Sequence, residues 1–256
     1  MKFVISNGTG IQQFSTILSN SKQFLETITC HFKEDGMYFR GLDHTRSCMI
    51  ECALSKDWFD AYEFSESIDM PIASFNAAVI QKVLKARHES QEIEMEIVGE
   101  KDSVLISFTK GNNFNKIFEI PLMNVDNQNM EIEETETDVD LLMDSKKMEV
   151  LTTNLVSFND DVKMNFTEEK IIFTADGLDG SMSVEIDFDD VTEYAVGENT
   201  ELTQSFNLKM LNQMCGFSSL TNEMKIGFCN GRPMSLKYTM GEGSHLLFYL
   251  APKVDE

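Results

Sequence analysis

The chain reads as one unit written twice, and this repetition limits its possible folds more than any other feature. Ser74-Phe75-Asn76 recurs as Ser205-Phe206-Asn207, 131 residues later. Six residues after each serine stands an apolar–amide pair, Ile80-Gln81 and then Leu211-Asn212. Nineteen residues after each serine an alternating stretch opens, with Ile93, Met95 and Ile97 in one half and Met224, Ile226 and Phe228 in the other. Such alternation is the period of a half-buried strand. Nearer the start of each half the offset is 134: Phe14, Ile17 and Ser21 answer to Met148, Leu151 and Leu155, and Met37-Tyr38-Phe39 to Ile171-Ile172-Phe173. One tripeptide could recur by chance. Matches at nearly constant offset over most of each half mark a duplicated structural unit.

Each half predicts a strand, a helix, about three strands, then a strand, a helix and further strands. The helices fall near residues 11–22, 75–87, 146–155 and 206–217. Most of the rest alternates, as in 93–97, 104–108, 117–122, 182–188, 234–238 and 246–250. Many strands with few helices predict an α+β fold, with antiparallel sheets carrying helices on one face. The division expected is 1–123 and 141–256 for the two domains, joined by 124–140. That connector holds seven Asp or Glu and no Lys, Arg, Gly or Pro. Its sizeable apolar residues are Val125, Met130, Ile132 and Val139. Taken alone it is a solvated acidic linker.

The formal net charge is −22, which on even distribution argues against nucleic acid, because phosphate binding needs Lys and Arg. The distribution is not even. The four helical spans hold seven basic residues, Lys22, Lys82, Lys85, Arg87, Lys146, Lys147 and Lys209, against one acidic residue, Glu149. Even scatter of the 43 carboxylates would place about eight there. Helical spacing buries Phe14, Ile17 and Leu18 in the first span, and Ile80, Val83 and Leu84 in the second. In the third it buries Met148, Leu151 and Leu155, and in the fourth Leu208, Leu211 and Cys215. The outward faces then carry Gln12, Ser15, Thr16, Lys82, Lys85, Lys146, Thr153, Met210 and Gln213. Ordinary helix surfaces carry Glu as readily as Lys, since both are good helix formers. Clearing acid without adding much base suits a surface that faces a polyanion without gripping it.

No catalytic chemistry emerges. The chain has no GxSxG, no phosphate-cradling glycine loop and no HExxH, and its four histidines fall in unrelated segments. Five cysteines form no CxxC pair, as expected of free thiols in a reducing compartment. Cys48 and Cys52 near His44 lack a fourth partner at ligand spacing, so no metal site and no cofactor is expected. No apolar run approaches membrane-spanning length and no signal peptide opens the chain, so no membrane partner is expected.

The ending Tyr249-Leu250-Ala251-Pro252-Lys253-Val254-Asp255-Glu256, after Gly243-Ser244-His245-Leu246, resembles the C-terminus of the proliferating cell nuclear antigen family of sliding clamps. Gly41-Leu42-Asp43 with the strand 47–54, the helix 76–86 around Lys82-Val83-Leu84-Lys85, and Leu122-Met123-Asn124-Val125-Asp126 resemble further segments of that family in the right order. The resemblance spans the whole chain. It implies a homotrimeric ring of two-domain subunits, with sheets outside and twelve helices lining a hole for duplex DNA. It implies a processivity factor, not an enzyme, working in the nucleus or at a viral replication site with DNA polymerase, clamp loader and other peptide-bearing proteins.

Residue by residue, the resemblance gives the DNA-facing lining to the outward and basic helix residues named above. Subunit contact would pair Phe114, Lys116, Ile117 and Phe118 of one chain with Met182, Val184 and Ile186 of the next; the alternative is that both strands lie inside their sheets. Partner peptides would enter a groove formed by Leu42, Arg46, Met49, Val125, Asp126, Met130, Ile132, Pro233, Tyr249, Leu250, Ala251 and Pro252. The alternative for Leu42 and Met49 is ordinary core, and for 249–252 a tail tied to the sheet. The chain departs from the family pattern at Ser15, Thr16, Val150, Thr153 and Gly216, where the lining loses basic residues. It departs again at Glu131-Ile132-Glu133 in the connector, and at Glu168, which stands where the family carries a modified lysine. The rival readings are a checkpoint-type clamp subunit of a heterotrimer and a monomeric viral processivity factor.

Overall fold

The computed structural model describes residues 1–64, 72–98, 102–111, 113–124, 136–198 and 200–253. The first copy of the repeat runs β1 (Lys2–Ile5), α1 (Gly8–Ser21), β2 (Thr27–Lys33), β3 (Gly36–Leu42), β4 (Cys48–Ser55), β5 (Ala61–Glu63), β6 (Ile72–Asn76), α2 (Ala77–Lys85), β7 (Glu92–Val98), β8 (Ser103–Thr109) and β9 (Lys116–Pro121). The second runs β10 (Val139–Asp144), α3 (Ser145–Leu155), β11 (Asp161–Phe166), β12 (Ile171–Gly177), β13 (Gly180–Ile186), β14 (Val191–Val196), β15 (Leu202–Asn207), α4 (Leu208–Cys215), β16 (Glu223–Phe228), β17 (Met234–Gly241) and β18 (Ser244–Leu250). A 3₁₀ turn precedes β5 at Lys56–Trp58 and β14 at Phe188–Asp190. The element order is the same in both copies.

Strand order repeats as well. The first copy holds the runs β5-β1-β7-β8-β9 and β4-β3-β2-β6, and the second β14-β10-β16-β17-β18 and β13-β12-β11-β15. By mutual contact the chain forms two compact units. Unit 1 is Met1–His44, Ile50–Asn129 and Thr239–Leu246; unit 2 is Thr45–Met49, Met130–Tyr238 and Leu247–Glu256.

The repeated Ser-Phe-Asn is a strand end turning into a helix. In unit 1, Ser74 meets Thr29 across β6 and β2 with hydroxyls 2.9 Å apart, and Phe75 is fully buried. Asn76 then caps α2, its side-chain oxygen accepting from Ala78 N at 2.9 Å and Val79 N at 3.2 Å. In unit 2, Phe206 is fully buried and Asn207 accepts from Met210 N at 2.9 Å. Asparagine suits the position because its short carbonyl reaches the amides that have no intrahelical partner. Asn7 and Asp144 cap α1 and α3 in the same way. These caps move the predicted ends: α1 starts at Gly8 rather than 11, and α2 and α4 lose their first two residues to strand and cap.

Each helix pair packs as one layer, α1 beside α2 and α3 beside α4. The repeated amide clasps it. Gln81 donates to Ser19 O at 3.2 Å and accepts from Lys22 at 2.8 Å. Asn212 accepts from Thr152 at 2.9 Å and Thr153 at 3.1 Å. One buried face differs from expectation. In α3 the third buried residue is Thr152, with Met148 and Leu155, while Leu151 is half-exposed. Thr152 tolerates full burial because its hydroxyl also donates to Met148 O at 3.0 Å.

In unit 1, Glu51 on β4 gathers a cross-strand network. Its carboxylate takes hydrogen bonds from Arg40 Nε at 2.8 Å and from Arg40 Nη2, and lies 3.4 Å from His245 Nε2. Arg40 also lies over the Tyr38 ring, 5.6 Å from its centroid. The His245 ring and the Arg40 guanidinium hold the Glu51 carboxyl down to about 2, against burial, which raises it. A carboxyl lowered on folding stabilises the protein above its unfolded value and ceases to do so as pH falls through the folded one. Glu51→Gln is therefore expected to cost about 2–3 kcal/mol at pH 7. The gap between wild type and variant should narrow as pH drops below the ordinary carboxylate value of 4.5. Urea unfolding of both proteins from pH 7 to pH 3 measures this, and a gap independent of pH would remove Glu51 ionisation as its cause.

Candidate nucleic-acid interface and edge strands

Outward helix faces in the two units differ in charge. In unit 1, α1 and α2 present Gln12, Lys82 and Lys85 exposed and Ser15 and Thr16 half-buried, with Lys22 at the α1 C-cap. No carboxylate belongs to either helix. Among the described residues Lys82 and Lys85 have no ion-pair partner. Arg87 is corrected: it lies beyond α2 and its Nη1 donates to His88 O, Glu89 O and Gln91 O at 2.8–2.9 Å. It closes the turn before β7 and does not extend the helix face.

In unit 2 the lysines are engaged. Lys147 reaches Asp190 at 2.6 Å, Lys209 reaches Asp160 at 2.6 Å, and Lys146 reaches Glu149 at 2.9 Å. Burial raises the Glu149 carboxyl, but hydrogen bonds from Ser218 and Lys146 outweigh it and hold the group ionised below its ordinary value. Three cations thus face three carboxylates, so α3 and α4 offer a neutral surface. Thr153 and Gln213 remain on it, Thr153 tied to Asn212. Val150 is 59% exposed there. The repeat sharpens the contrast: at the 131- and 134-residue offsets, Lys22, Lys82 and Lys85 correspond to Val156, Gln213 and Gly216. Sequence counting found the lysines and Glu149, but not Asp190 and Asp160, which reach Lys147 and Lys209 from segments distant in the chain.

Both strands expected to make subunit contacts are sheet edges, β9 in unit 1 and β13 in unit 2. Two other edges are partly covered: Met123 N–H donates to Ser74 O at the edge of β6, and Lys253 N–H to Ser205 O at the edge of β15. On β9 and its approach, Phe114 is 86% and Ile117 71% exposed. Beside β13 lies an apolar groove of about 500 Å³, lined by Val150, Leu151, Met182 and Val184, with Lys146, Lys147 and Asn154 at its rim. Three expected contact residues turn inward instead. Lys116 donates to Ala86 O at 2.6 Å, Phe118 packs 5.6 Å from Phe108, and Ile186 is buried. On β9 the cause is strand alternation, which sets Lys116 and Phe118 on the face of buried Ile120, opposite Ile117.

Of the expected peptide groove, Leu42 is half-buried at the end of β3, and Arg46 is exposed with φ 59°. Pro233 is exposed, while Tyr249, Ala251 and Pro252 are half-buried. Met49 and Leu250 are core residues, 2% and 0% exposed, and underlie the surface without lining it. The tail is tied down in unit 2: Ala251 N–H donates to Ser47 O at 2.8 Å, and Lys253 pairs with Asp161. Val125, Asp126, Met130 and Ile132 lie outside the described residues. Among the described residues no cluster of His, Cys, Asp or Glu has the makings of a metal site. Burial raises the thiols of Cys30, Cys52 and Cys215, which keeps them protonated. No helix among the described residues is long and apolar enough to cross a membrane.

Comparison with known proteins fits this geometry. Residues 10–132 match the N-terminal domain family of proliferating cell nuclear antigen, and residues 131–253 match the C-terminal domain family. Proliferating cell nuclear antigen of Chaetomium thermophilum is 25% identical over 238 residues, 89% of this chain and 90% of that protein. The protein of the same name from Saccharomyces cerevisiae is 24% identical over 95% of each chain. DNA polymerase sliding clamp 1 of Thermococcus kodakarensis is 22% identical over 96% of this chain and 97% of its own.

Proposed function

The chain belongs to the proliferating cell nuclear antigen family of DNA sliding clamps, and we propose that three copies close head to tail into a ring that encircles duplex DNA and tethers a polymerase. The observation that carries this is the pair of unlike edges. One bears exposed Phe114 and Ile117; the other borders an apolar groove of matching character. Unlike, complementary patches on one chain make heterologous contacts, which close into rings when the rotation permits. Pairing β9 of one subunit with β13 of the next satisfies both ladders of backbone groups and covers the apolar residues together.

Within that ring the helix faces meet the duplex. Unit 1 supplies the cationic contacts through Lys22, Lys82 and Lys85; unit 2 supplies a neutral wall. Contacts of this kind are to phosphates and are indifferent to base sequence, which lets the clamp slide. Leu42, Arg46, Pro233, Tyr249, Ala251 and Pro252, with the connector positions 125, 126, 130 and 132, receive the peptides of polymerase, clamp loader and repair proteins. The protein catalyses nothing in this reading. Its place is the nucleus, or a viral replication site if virus-encoded.

Light scattering after size exclusion is expected to give about 87 kDa, three chains of 29.1 kDa. Ile117→Asp should lower that mass with an unchanged circular dichroism spectrum. A lone 29.1 kDa species at micromolar concentration would sink the homotrimer.

Lys82→Glu with Lys85→Glu should cut clamp-dependent DNA synthesis by about tenfold or more, since each reversal trades a phosphate contact for repulsion. Lys147→Ala with Lys209→Ala should change it by less than about twofold, because those charges are already met by carboxylates. Equal losses in both doubles would contradict the division of labour between the units.

Tyr249→Ala is expected to weaken capture of an apolar–aromatic partner peptide by about tenfold, the usual cost of losing an interface aromatic, without opening the ring. Isothermal titration on the trimer decides this, and unchanged affinity refutes the groove.

A further inference from the structure

The two copies differ in one place where a filled core has become an open pocket. The turn Lys56–Trp58 and the turn Phe188–Asp190 are equivalents at an offset of 132. Ser55 caps the first by accepting from Asp57 N at 3.3 Å, and Asp187 caps the second by accepting from Asp189 N at 3.0 Å. Tyr62 and Tyr194 follow at the same offset. Each donates its hydroxyl to a backbone carbonyl at 2.8 Å, Tyr62 to Lys33 O and Tyr194 to Thr167 O.

In unit 1 the space beside Tyr62 is filled. Trp58 and Phe59 are 9% and 6% exposed. Phe59 packs 4.7 Å from Phe3, 5.1 Å from Trp58 and 5.2 Å from Tyr62. In unit 2 the corresponding residues are Asp190 and Val191, which are far smaller. Asp190 also swings out to Lys147. What remains is a cavity of about 350 Å³ lined by Glu168, Phe188, Val191, Thr192, Glu193 and Tyr194. Phe188 is 43% exposed and stacks on Tyr194, centroids 5.4 Å apart and planes at 27°.

We propose that this pocket is a second docking site, taking an arginine or lysine side chain of a basic partner segment. Charge and shape both select that occupant. Glu168 and Glu193 stand in the wall, Asp187 and Asp189 in the adjoining turn, and the paired aromatic faces offer the quadrupole that attracts a cation. An anion would meet the carboxylates of Glu168 and Glu193 in the wall. A purely apolar plug would leave Glu168 and Glu193 facing it. Burial raises the Tyr194 phenol to about 12, so its ring stays neutral beneath the cation. This inference stands on the pocket alone and is independent of ring closure.

The test uses the full chain labelled with fluorotyrosine, the Tyr194 resonance being assigned by Tyr194→Phe. The peptide Gly-Arg-Arg-Gly is expected to shift that resonance saturably, and its citrulline counterpart at least fivefold more weakly. Glu168→Gln with Glu193→Gln should weaken binding at least fivefold. Val191→Phe, which restores the residue that unit 1 uses, should fill the cavity and abolish the shift without loss of thermal stability. Equal shifts from the arginine and citrulline peptides would overturn the assignment, as would a Tyr194 resonance indifferent to both, or undiminished binding by Val191→Phe.

Discussion

Forty-three carboxylates set against 21 cations leave little freedom to a protein that must face phosphate. Any surface offered to a polyanion has to be cleared of acid, and in the proposed ring that surface falls to the four short helices, which hold one carboxylate, Glu149. The assignment rests on packing. Each helix pair lies as a single layer whose apolar stripe is buried, so outward residues that take no part in clasping the pair, such as Lys82 and Lys85, can be chosen for charge. The carboxylates remain on sheets and turns, where repulsion between like charges is relieved by solvent.

The duplication conserves what builds the unit and frees what decorates it. Cap asparagines, the phenylalanines before them and the clasping amides Gln81 and Asn212 recur because each satisfies a backbone or helix-packing requirement present in both copies. Lysines do not recur at equivalent positions. Lys82 and Lys85 on the helix face of unit 1 have no ion-pair partner among the described residues, while Lys147 and Lys209 of unit 2 sit within 2.6 Å of Asp190 and Asp160. Exposed ion pairs of this kind add little stability. Their effect is to cancel charge on the helix face of unit 2, while that of unit 1 stays cationic.

The strands and helices were legible in the sequence because each is governed by a local rule: period two, period 3.6, or a capping side chain. What escaped depends on neighbours from elsewhere in the chain. Leu151 and Thr152 flank the Met148–Leu155 line of α3 on opposite sides at similar angles, so helical period alone does not choose between them. Thr152 takes the buried place because Asn212, 60 residues away, accepts its hydroxyl. Met49 and Leu250 are expected in the groove, yet both are core: alternation along β18 turns Leu250 inward, whereas Met49 is 2% exposed although it shares the parity of Glu51 and Ala53 on β4. Lys116 and Phe118 were grouped with Ile117 although strand period alone separates them. Of the lysine–carboxylate pairs of unit 2, Lys146–Glu149 has the i, i+3 spacing of one helix, but nothing local links Lys147 to Asp190 or Lys209 to Asp160.

Edge strands add a final constraint. A bare ladder flanked by a phenylalanine 86% exposed and an isoleucine 71% exposed is an aggregation hazard in a lone chain. Proteins blunt such edges with charge, bulges or covering segments, and this chain does so at β6 and β15, where Met123 and Lys253 close over the strand. It does not at β9. The device was available within the same unit and was not used there, so the open edge is the part of the surface least explained by the needs of a single chain. A groove of about 500 Å³ lined by Val150, Leu151, Met182 and Val184 supplies the complementary need on the other unit. Each patch is a liability alone, and the proposed contact, which buries one in the other, would remove both.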